Sequence, residues 1–91
     1  RVEIELYIEG AKMEKGIFLF NSPNETVGVL IGTLSMFKAN KLLALGFNQM
    51  GYASGSSEQE VLEDAKRQMA SYNPQWMTYD EMNVMRKNRK L

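Results

Sequence analysis

The sequence predicts a small α+β domain in which helices pack on one face of a short sheet. An N-terminal segment alternates apolar with mostly acidic residues, as a half-buried strand does, and three later segments carry the residue pattern that begins a helix. A length of 91 residues suits one domain with one thin core. The expected order is β-β-α-β-α-α over residues 1–91, with an N-terminal hairpin, a third strand and three helices.

The first two predicted strands form a hairpin. Two kinds of side chain alternate along residues 2–8: Val2, Ile4, Leu6 and Ile8 against Glu3, Glu5 and Tyr7. Gly10 tolerates the positive φ of a tight turn, so residues 12–20 return as the second strand. The run Ile17–Phe20 is apolar at every position, which indicates a strand covered on both faces.

The segment Ser22–Glu25 has the pattern of a helix start. It offers a capping Ser, a Pro at the first helical position and a Glu that completes a capping box. Apolar residues then recur at helical spacing: Val27, Leu30, Ile31, Leu34 and Phe37. The predicted helix ends near Asn40, and Gly28 and Gly32 lie on a small-residue stripe that indicates close approach of another backbone.

Residues 41–53 fit either a third strand or a short helix. Leu43, Leu45 and Phe47 alternate with small or polar residues, as in a strand, whereas Leu42 and Leu45 also fit a helical spacing. The strand is preferred because two glycines in this segment weaken a helix and a hairpin alone makes a poor sheet.

The second half of the chain is predicted to hold two helices after a linker. Residues 51–57 are rich in Gly and Ser, which is typical of a flexible linker. A second capping box, Ser57–Glu60, begins a helix that should stop before Asn73, because the residue preceding proline disfavours helix. A third box, Thr78–Glu81, begins the last helix.

Composition excludes several kinds of chemistry. The chain has no His and no Cys, which removes the commonest general base, the commonest metal ligand and the thiol nucleophile. No acidic pair lies in an apolar context that would raise a pKa, so no catalytic residue, metal site or cofactor is expected. With 11 Lys and Arg against 11 Asp and Glu, the net charge is zero, which disfavours attraction of the whole surface to nucleic acid.

A cluster of Met, Trp and Tyr in the second half is the main candidate for a binding surface. These residue types are enriched at protein interfaces. The candidate residues are Met69, Tyr72, Trp76, Met77, Tyr79 and Met82. The sequence therefore suggests a non-enzymatic protein-interaction module, an accessory or regulatory factor that binds another protein or a second copy of itself. Equally, a small domain fills its core with such residues.

The alternative hypothesis is a small nucleic-acid-binding protein. Residues 86–91 form a basic tail that would contact phosphates, through four cations: Arg86, Lys87, Arg89 and Lys90. Cations are also favoured at a helix C-terminus for purely structural reasons, and these four do not alternate with aromatic residues. Protein binding is therefore preferred over nucleic-acid binding.

The hydrophobic pattern suggests no membrane partner. The most apolar stretch, residues 27–37, is shorter than the ~20 residues that a bilayer span requires, and no leader-like pattern is present. We therefore expect a cytoplasmic protein.

Overall fold

A computed structural model describes residues 12–89. Four strands and three helices follow one another in the order β-β-α-β-α-β-α. Their bounds are β1 (Met13–Asn21), β2 (Thr26–Gly32), α1 (Met36–Ala44), β3 (Asn48–Gly55), α2 (Glu58–Gln68), β4 (Gln75–Trp76) and α3 (Tyr79–Arg89). The α+β class predicted from the sequence is confirmed. No helix within residues 12–89 is long and apolar enough to cross a membrane.

The four strands form one mixed sheet in the order β3-β1-β2-β4. β1 is central and antiparallel to both of its neighbours, with Phe18 opposite Val29 of β2 and Ile17 opposite Gly51 of β3. The short β4 is parallel to β2, with Trp76 opposite Gly28. As far as residues 12–89 are concerned, the sheet therefore has two outer edges, one on β3 and one on β2 beyond the end of β4.

Helices cover both faces of the sheet, whereas the sequence pattern predicts helices on one face. Alternation along β1 and β2 gives each face its own apolar layer. On one face α1 and α3 pack over a core of Phe18, Val27, Val29, Ile31, Leu42, Phe47 and Met82. On the other, α2 packs over Ile17, Leu19, Ala53, Val61, Ala65 and Met69. The unbroken apolar run Ile17–Phe20 already indicates a strand that needs two covered faces.

The prediction of a helix from Ser22 to Asn40 is wrong, because residues 26–32 form strand β2 and the helix begins at Met36. The Ser22 and Glu25 pair does make the expected bond, from Glu25 N–H to Ser22 Oγ at 3.2 Å. It closes a hairpin turn instead, since Ser22 N–H also donates to Glu25 O at 2.9 Å. The β-branched residues that follow at every second position favour a strand over the helical alternative.

Residues 41–53 contain both of the structures that the sequence allows. α1 continues to Ala44 and β3 begins at Asn48, so the predicted strand exists but starts later than its pattern indicates. The segment 51–57, predicted as a linker, belongs to β3 as far as Gly55. Its glycines are explained by a bulge in β3, where Gly51 has φ 143°, and by the close packing of Gly55 under α2.

The other two capping boxes are confirmed. Glu60 N–H donates to Ser57 Oγ at 3.2 Å at the start of α2, and Glu81 N–H donates to Thr78 Oγ1 at 3.0 Å before α3. The second predicted strand, residues 12–20, corresponds to β1. The first predicted strand, residues 2–8, lies outside the described residues. β1 is hydrogen-bonded to β2 along one edge and to β3 along the other.

Candidate functional site

The predicted Met, Trp and Tyr surface is divided between core and surface. Met69 and Met82 are 7% and 0% exposed, one in each core, so neither is free to touch a partner. Tyr72 is 41% exposed on the turn after α2. The remaining three, Trp76, Met77 and Tyr79, are half-buried and lie together along a groove.

The groove follows the outer edge of β2 and has a volume of about 570 Å³. Its floor is the end of β2, residues 30–32. Leu62 of α2 lies on one side, and Lys38 of α1 lies on the other together with Ser35, which precedes that helix. Trp76, Met77 and Tyr79 enclose the end at which β4 passes into α3. Elements from both faces of the sheet therefore meet around one strand edge.

Among the described residues, some peptide groups of β2 along this floor have no strand partner. Met77 N–H donates to Gly28 O at 3.0 Å, which shows that Gly28 presents its peptide groups to the outer edge. Because outward and inward peptide groups alternate in a strand bonded to β1, Leu30 and Gly32 face outward as well. Within residues 12–89, β4 pairs with Val27 and Gly28 alone, so the N–H and C=O of Leu30 have no strand partner on this side.

Trp76 is held at the end of the groove by close packing on Gly28. A Cβ atom at position 28 would lie 2.7 Å from Trp76 Cε3 and 2.8 Å from Cζ3, so the indole lies directly against the backbone of β2. The small-residue stripe predicted from the sequence thus has a real cause at Gly28. It is a tryptophan ring, not a second backbone, that approaches there.

The start of α3 fixes Tyr79 beside the groove. Thr78 N–H donates to Glu81 Oε1 at 2.8 Å, which completes the capping box and sets the first turn of the helix. The ring of Tyr79 then lies 5.2 Å from the Lys38 ammonium, a cation–π contact that joins α3 to α1 across the groove.

The opposite edge of the sheet, on β3, is closed by side chains of α2. Asp64 Oδ2 accepts from Ser54 N–H at 2.9 Å, and Gln68 Nε2 donates to Tyr52 O at 2.9 Å. The bond from Ser54 is the largest influence on the pKa of Asp64 and lowers it below its ordinary value. Desolvation acts in the opposite direction with a smaller effect, and still smaller contributions from Gln68 and Arg67 lower the pKa further. Asp64 therefore has a structural explanation for its shifted pKa.

Around α1, several apolar side chains are exposed that the sequence pattern does not predict to be so. Leu34 is 94% exposed, Phe37 76%, Met36 70% and Leu43 47%. The sequence pattern predicts Leu34 and Phe37 in the buried stripe of a longer helix, and Leu43 in a strand. Apolar side chains therefore lie on two sides of α1, with Leu42 fully buried in the core and Met36, Phe37 and Leu43 exposed.

The structure describes the side chains of only two residues of the predicted basic tail, residues 86–91, that were expected to contact phosphates. Arg86 is half-buried and Lys87 is exposed near the end of α3. Arg89 ends the helix, and Lys90 lies outside the described residues. The predicted nucleic-acid contacts therefore stay a prediction.

The described residues provide no candidate metal centre. Within residues 12–89, no group of three or more His, Cys, Asp or Glu side chains lies close enough together to hold an ion. Comparison with known proteins gives no match: no protein family, curated protein or solved structure resembles the chain significantly.

Proposed function

We propose that this domain is a non-enzymatic protein-interaction module that binds an extended segment of another protein in the groove along β2. The observation that carries the proposal is the open edge of β2 beside Trp76 and Tyr79: within residues 12–89, the N–H and C=O of Leu30 and the N–H of Gly32 have no strand partner there, while Gly32 O accepts from Ser35 N–H at 3.0 Å. An extended peptide would add to the sheet as a further strand, with main-chain hydrogen bonds for affinity and side-chain contacts for selectivity.

The position of β4 supports this mode of binding. Gln75 and Trp76 already pair with β2 as a two-residue strand, after which the chain turns away at Thr78 into α3. A partner strand would occupy the same line along the edge, next to residues 30–32, where the protein's own chain departs.

The two sides of the groove provide contacts for alternate side chains. Successive residues of an extended peptide point to opposite faces of a sheet. One set would meet Leu62 and Trp76 on the α2 side, and the other would meet Met77 and Tyr79 on the α1 and α3 side. A segment with small or apolar residues at alternate positions fits this arrangement best.

Charges in the groove nearly balance, which favours a neutral peptide over a polyanion. Two cations, Lys15 and Lys38, line it with three carboxylates, those of Glu58, Asp80 and Glu81. Lys15 and Glu58 also face one another at 3.9 Å. We therefore expect affinity to depend weakly on salt, in contrast to the steep salt dependence of binding to nucleic-acid phosphates.

Amide hydrogen exchange tests the proposal directly. The probe is a capped hexapeptide of alternating Val and Thr, and the control is the same peptide with both central residues replaced by Pro, which cannot donate to a strand. We expect the probe to slow exchange at Leu30 and Gly32, while Val29 and Ile31, which face β1, are slow throughout. The single tryptophan, Trp76, reports binding by its fluorescence. Binding that leaves the two amides unprotected, or equal binding of the proline control, contradicts strand addition.

A further inference from the structure

We infer that residues 2–8 of this chain, called here the N-terminal segment, pair as a strand with the open edge of β2 and compete there with the partner peptide. In this arrangement the segment runs parallel to β2, with Tyr7 opposite Ile31. The segment and the peptide use the same groove, so this regulation rests on the proposed function. A partner then binds only where it displaces the chain's own strand.

The N-terminal segment, which lies outside the described residues, has the sequence pattern of a strand. Two kinds of residue alternate along it: Val2, Ile4, Leu6 and Ile8 against Glu3, Glu5 and Tyr7. The groove suits a segment with small or apolar residues at alternate positions, and the first set meets this requirement. The stretch that would pair with β2, residues 6–8, carries no charge.

The register gives each of these side chains an apolar neighbour. Ile31 lies in the core under α1 and α3, against which Tyr79 packs. Neighbouring residues of paired strands point to the same face of a sheet, so Tyr7 opposite Ile31 would point towards Tyr79. The residues on either side of Tyr7 would point to the α2 side of the groove, towards Trp76.

The other strand edges near the start of β1 already have partners. Over Lys15–Leu19, β1 is hydrogen-bonded to β2 on one side and to β3 on the other. On the outer edge of β3, side chains of α2 bond the peptide groups of Tyr52 and Ser54. Within residues 12–89, Leu30 and the N–H of Gly32 have no strand partner on the outer edge of β2. A strand formed by the N-terminal segment therefore finds available peptide groups on β2.

The start of β1 lies within reach of this edge, and the reach favours a parallel strand. Lys15 is opposite Gly32, so Met13 lies two residues, roughly 7 Å, beyond the end of β2. The outer edge of β2 is two strand spacings, roughly 10 Å, from β1. Ile8 beside Gly32 is then about 12 Å from Met13, and the five residues between these positions span at most about 17 Å. An antiparallel strand would put Ile8 beside Leu30, about 17 Å away, which leaves no length to pass the turn after β2.

β4 shows how the hydrogen bonds of such a strand would run. β4 is parallel to β2, and Met77 N–H donates to Gly28 O at 3.0 Å. Two residues further along β2, the same pattern has Tyr7 N–H donate to Leu30 O and Gly32 N–H donate to Tyr7 O. Gly32 O is already bonded within the turn that follows β2, so pairing ends there.

The tether makes so short a strand an effective competitor. Three paired residues alone form a weak strand. Residues 9–12 join the segment to β1, and a linker of this length gives an effective concentration in the millimolar range. If the segment occupies the edge in about nine-tenths of the molecules, the apparent Kd of a free peptide rises about 10-fold. Saturating peptide still displaces the segment and slows amide exchange along the edge further.

Two measurements on the full chain report the fraction of molecules in which the edge is open. They are the exchange rate of the Gly32 amide and the Kd of the Val and Thr hexapeptide, followed by Trp76 fluorescence. Leu6→Ser with Ile8→Ser removes the apolar contacts of the paired stretch. We expect this variant to exchange Gly32 about 10-fold faster than wild type and to bind the hexapeptide about 10-fold more tightly, because both values depend on the same fraction.

Matched variants separate pairing from a general change in the segment. Val2→Ser with Ile4→Ser removes the same kind of side chain upstream of the paired stretch, and it should change each value by less than about twofold. Tyr7→Pro keeps both apolar neighbours but removes the N–H that donates to Leu30 O, so it should act like the Leu6 and Ile8 variant.

Equal Gly32 exchange and equal hexapeptide Kd in wild type and in the Leu6 and Ile8 variant overturn the inference. Gly32 protection that rises with protein concentration between about 20 μM and 1 mM also overturns it, because the segment of a second copy would then occupy the edge. If the hexapeptide protects Leu30 equally in both proteins, the proposed function stands and the competition is wrong. If it binds neither protein while Gly32 exchange still responds to the substitutions, the strand pairing stands and the proposed function fails.

Discussion

Strands β3 and β2 each present an outer edge, but α2 covers the first with side chains, whereas nothing within residues 12–89 pairs with the second beyond Gly28. On β3, Asp64 and Gln68 bond the outward peptide groups of Ser54 and Tyr52, which substitutes for a neighbouring strand. On β2, the two residues of β4 pair with Val27 and Gly28, after which the chain turns away from the sheet into α3. Unpaired edges invite association with other strands, and proteins usually block them. Among residues 12–89, side chains of α2 therefore occupy part of one edge, whereas an apolar groove lies along the other.

Glycine has a different role at each edge, so substitutions of Gly55 and Gly28 test the two edges separately. Gly55, at the end of the closed edge, lies under the backbone of α2, while Gly28, at the open edge, lies under a side chain. The backbone of a helix is harder to displace than a side-chain ring that can rotate. We therefore expect the larger loss of stability at the closed edge.

The largest expected effect is that of Gly55→Ala. The new Cβ would lie 2.6 Å from Glu60 Cβ and 2.9 Å from Val61 N, so the first turn of α2 must move away from β3. We expect the free energy of unfolding in urea to fall by about 3 kcal/mol. Gly32→Ala is the matched control, since its Cβ meets no atom within 4 Å, and it should leave stability unchanged or raise it by up to about 1 kcal/mol. Equal losses for the two variants would contradict this account of Gly55.

Gly28→Ala should have the next largest effect and acts on the open edge. Its Cβ would displace the indole of Trp76 from β2, where the closest ring atom lies 2.7 Å away. We expect a loss of about 2 kcal/mol in stability, because the ring must repack and β4 loosens with it. The fluorescence of the single tryptophan should shift to longer wavelength as the ring gains exposure to water. An unchanged emission spectrum would show that Trp76 does not rest on Gly28.

The same two regions show which parts of the structure can be predicted from sequence. The boxes at Ser57 and Thr78 were predictable because a capping side chain and its backbone partner lie within a few residues of one another. The box at Ser22 makes the same local bond but closes a turn, since Val27, Val29 and Ile31 are buried on one face of a strand. Local pattern determined the bond, whereas packing with residues distant in the chain determined which element followed it.

The candidate site was only partly predictable for the same reason. Trp76, Met77 and Tyr79 lie together along the groove, but composition alone could not separate them from Met69 and Met82 in the core. The groove depends on Gly28 and Leu30 as much as on the aromatic residues. The sequence pattern predicts both positions in a helix, and a helix has no strand edge that could form this groove.

Asp64→Ala should cause the smallest loss of stability. It also tests directly whether the Asp64 side chain is what makes the β3 edge differ from the β2 edge. Loss of the carboxylate frees Ser54 N–H, so the closed edge of β3 should come to resemble the open edge of β2. We expect hydrogen exchange at Ser54 to become faster and stability to fall modestly, while exchange at Leu30 is unaffected. Glu63→Ala removes a neighbouring carboxylate of α2 that does not contact β3, and it should change neither amide.

This prediction also has a pH dependence with a definite sign. Because the bond from Ser54 lowers the pKa of Asp64 in the folded state, the carboxylate stabilises the protein fully above its unfolded pKa of about 3.9. The contribution is lost as the pH falls from there through the lower folded-state pKa, because both states then bind the proton. The difference in stability between wild type and Asp64→Ala, measured by urea unfolding, should therefore be constant near neutral pH and shrink below about pH 4. A difference that grew on acidification would mean that Asp64 is held in its protonated form, and that Ser54 N–H is not bonded to a carboxylate.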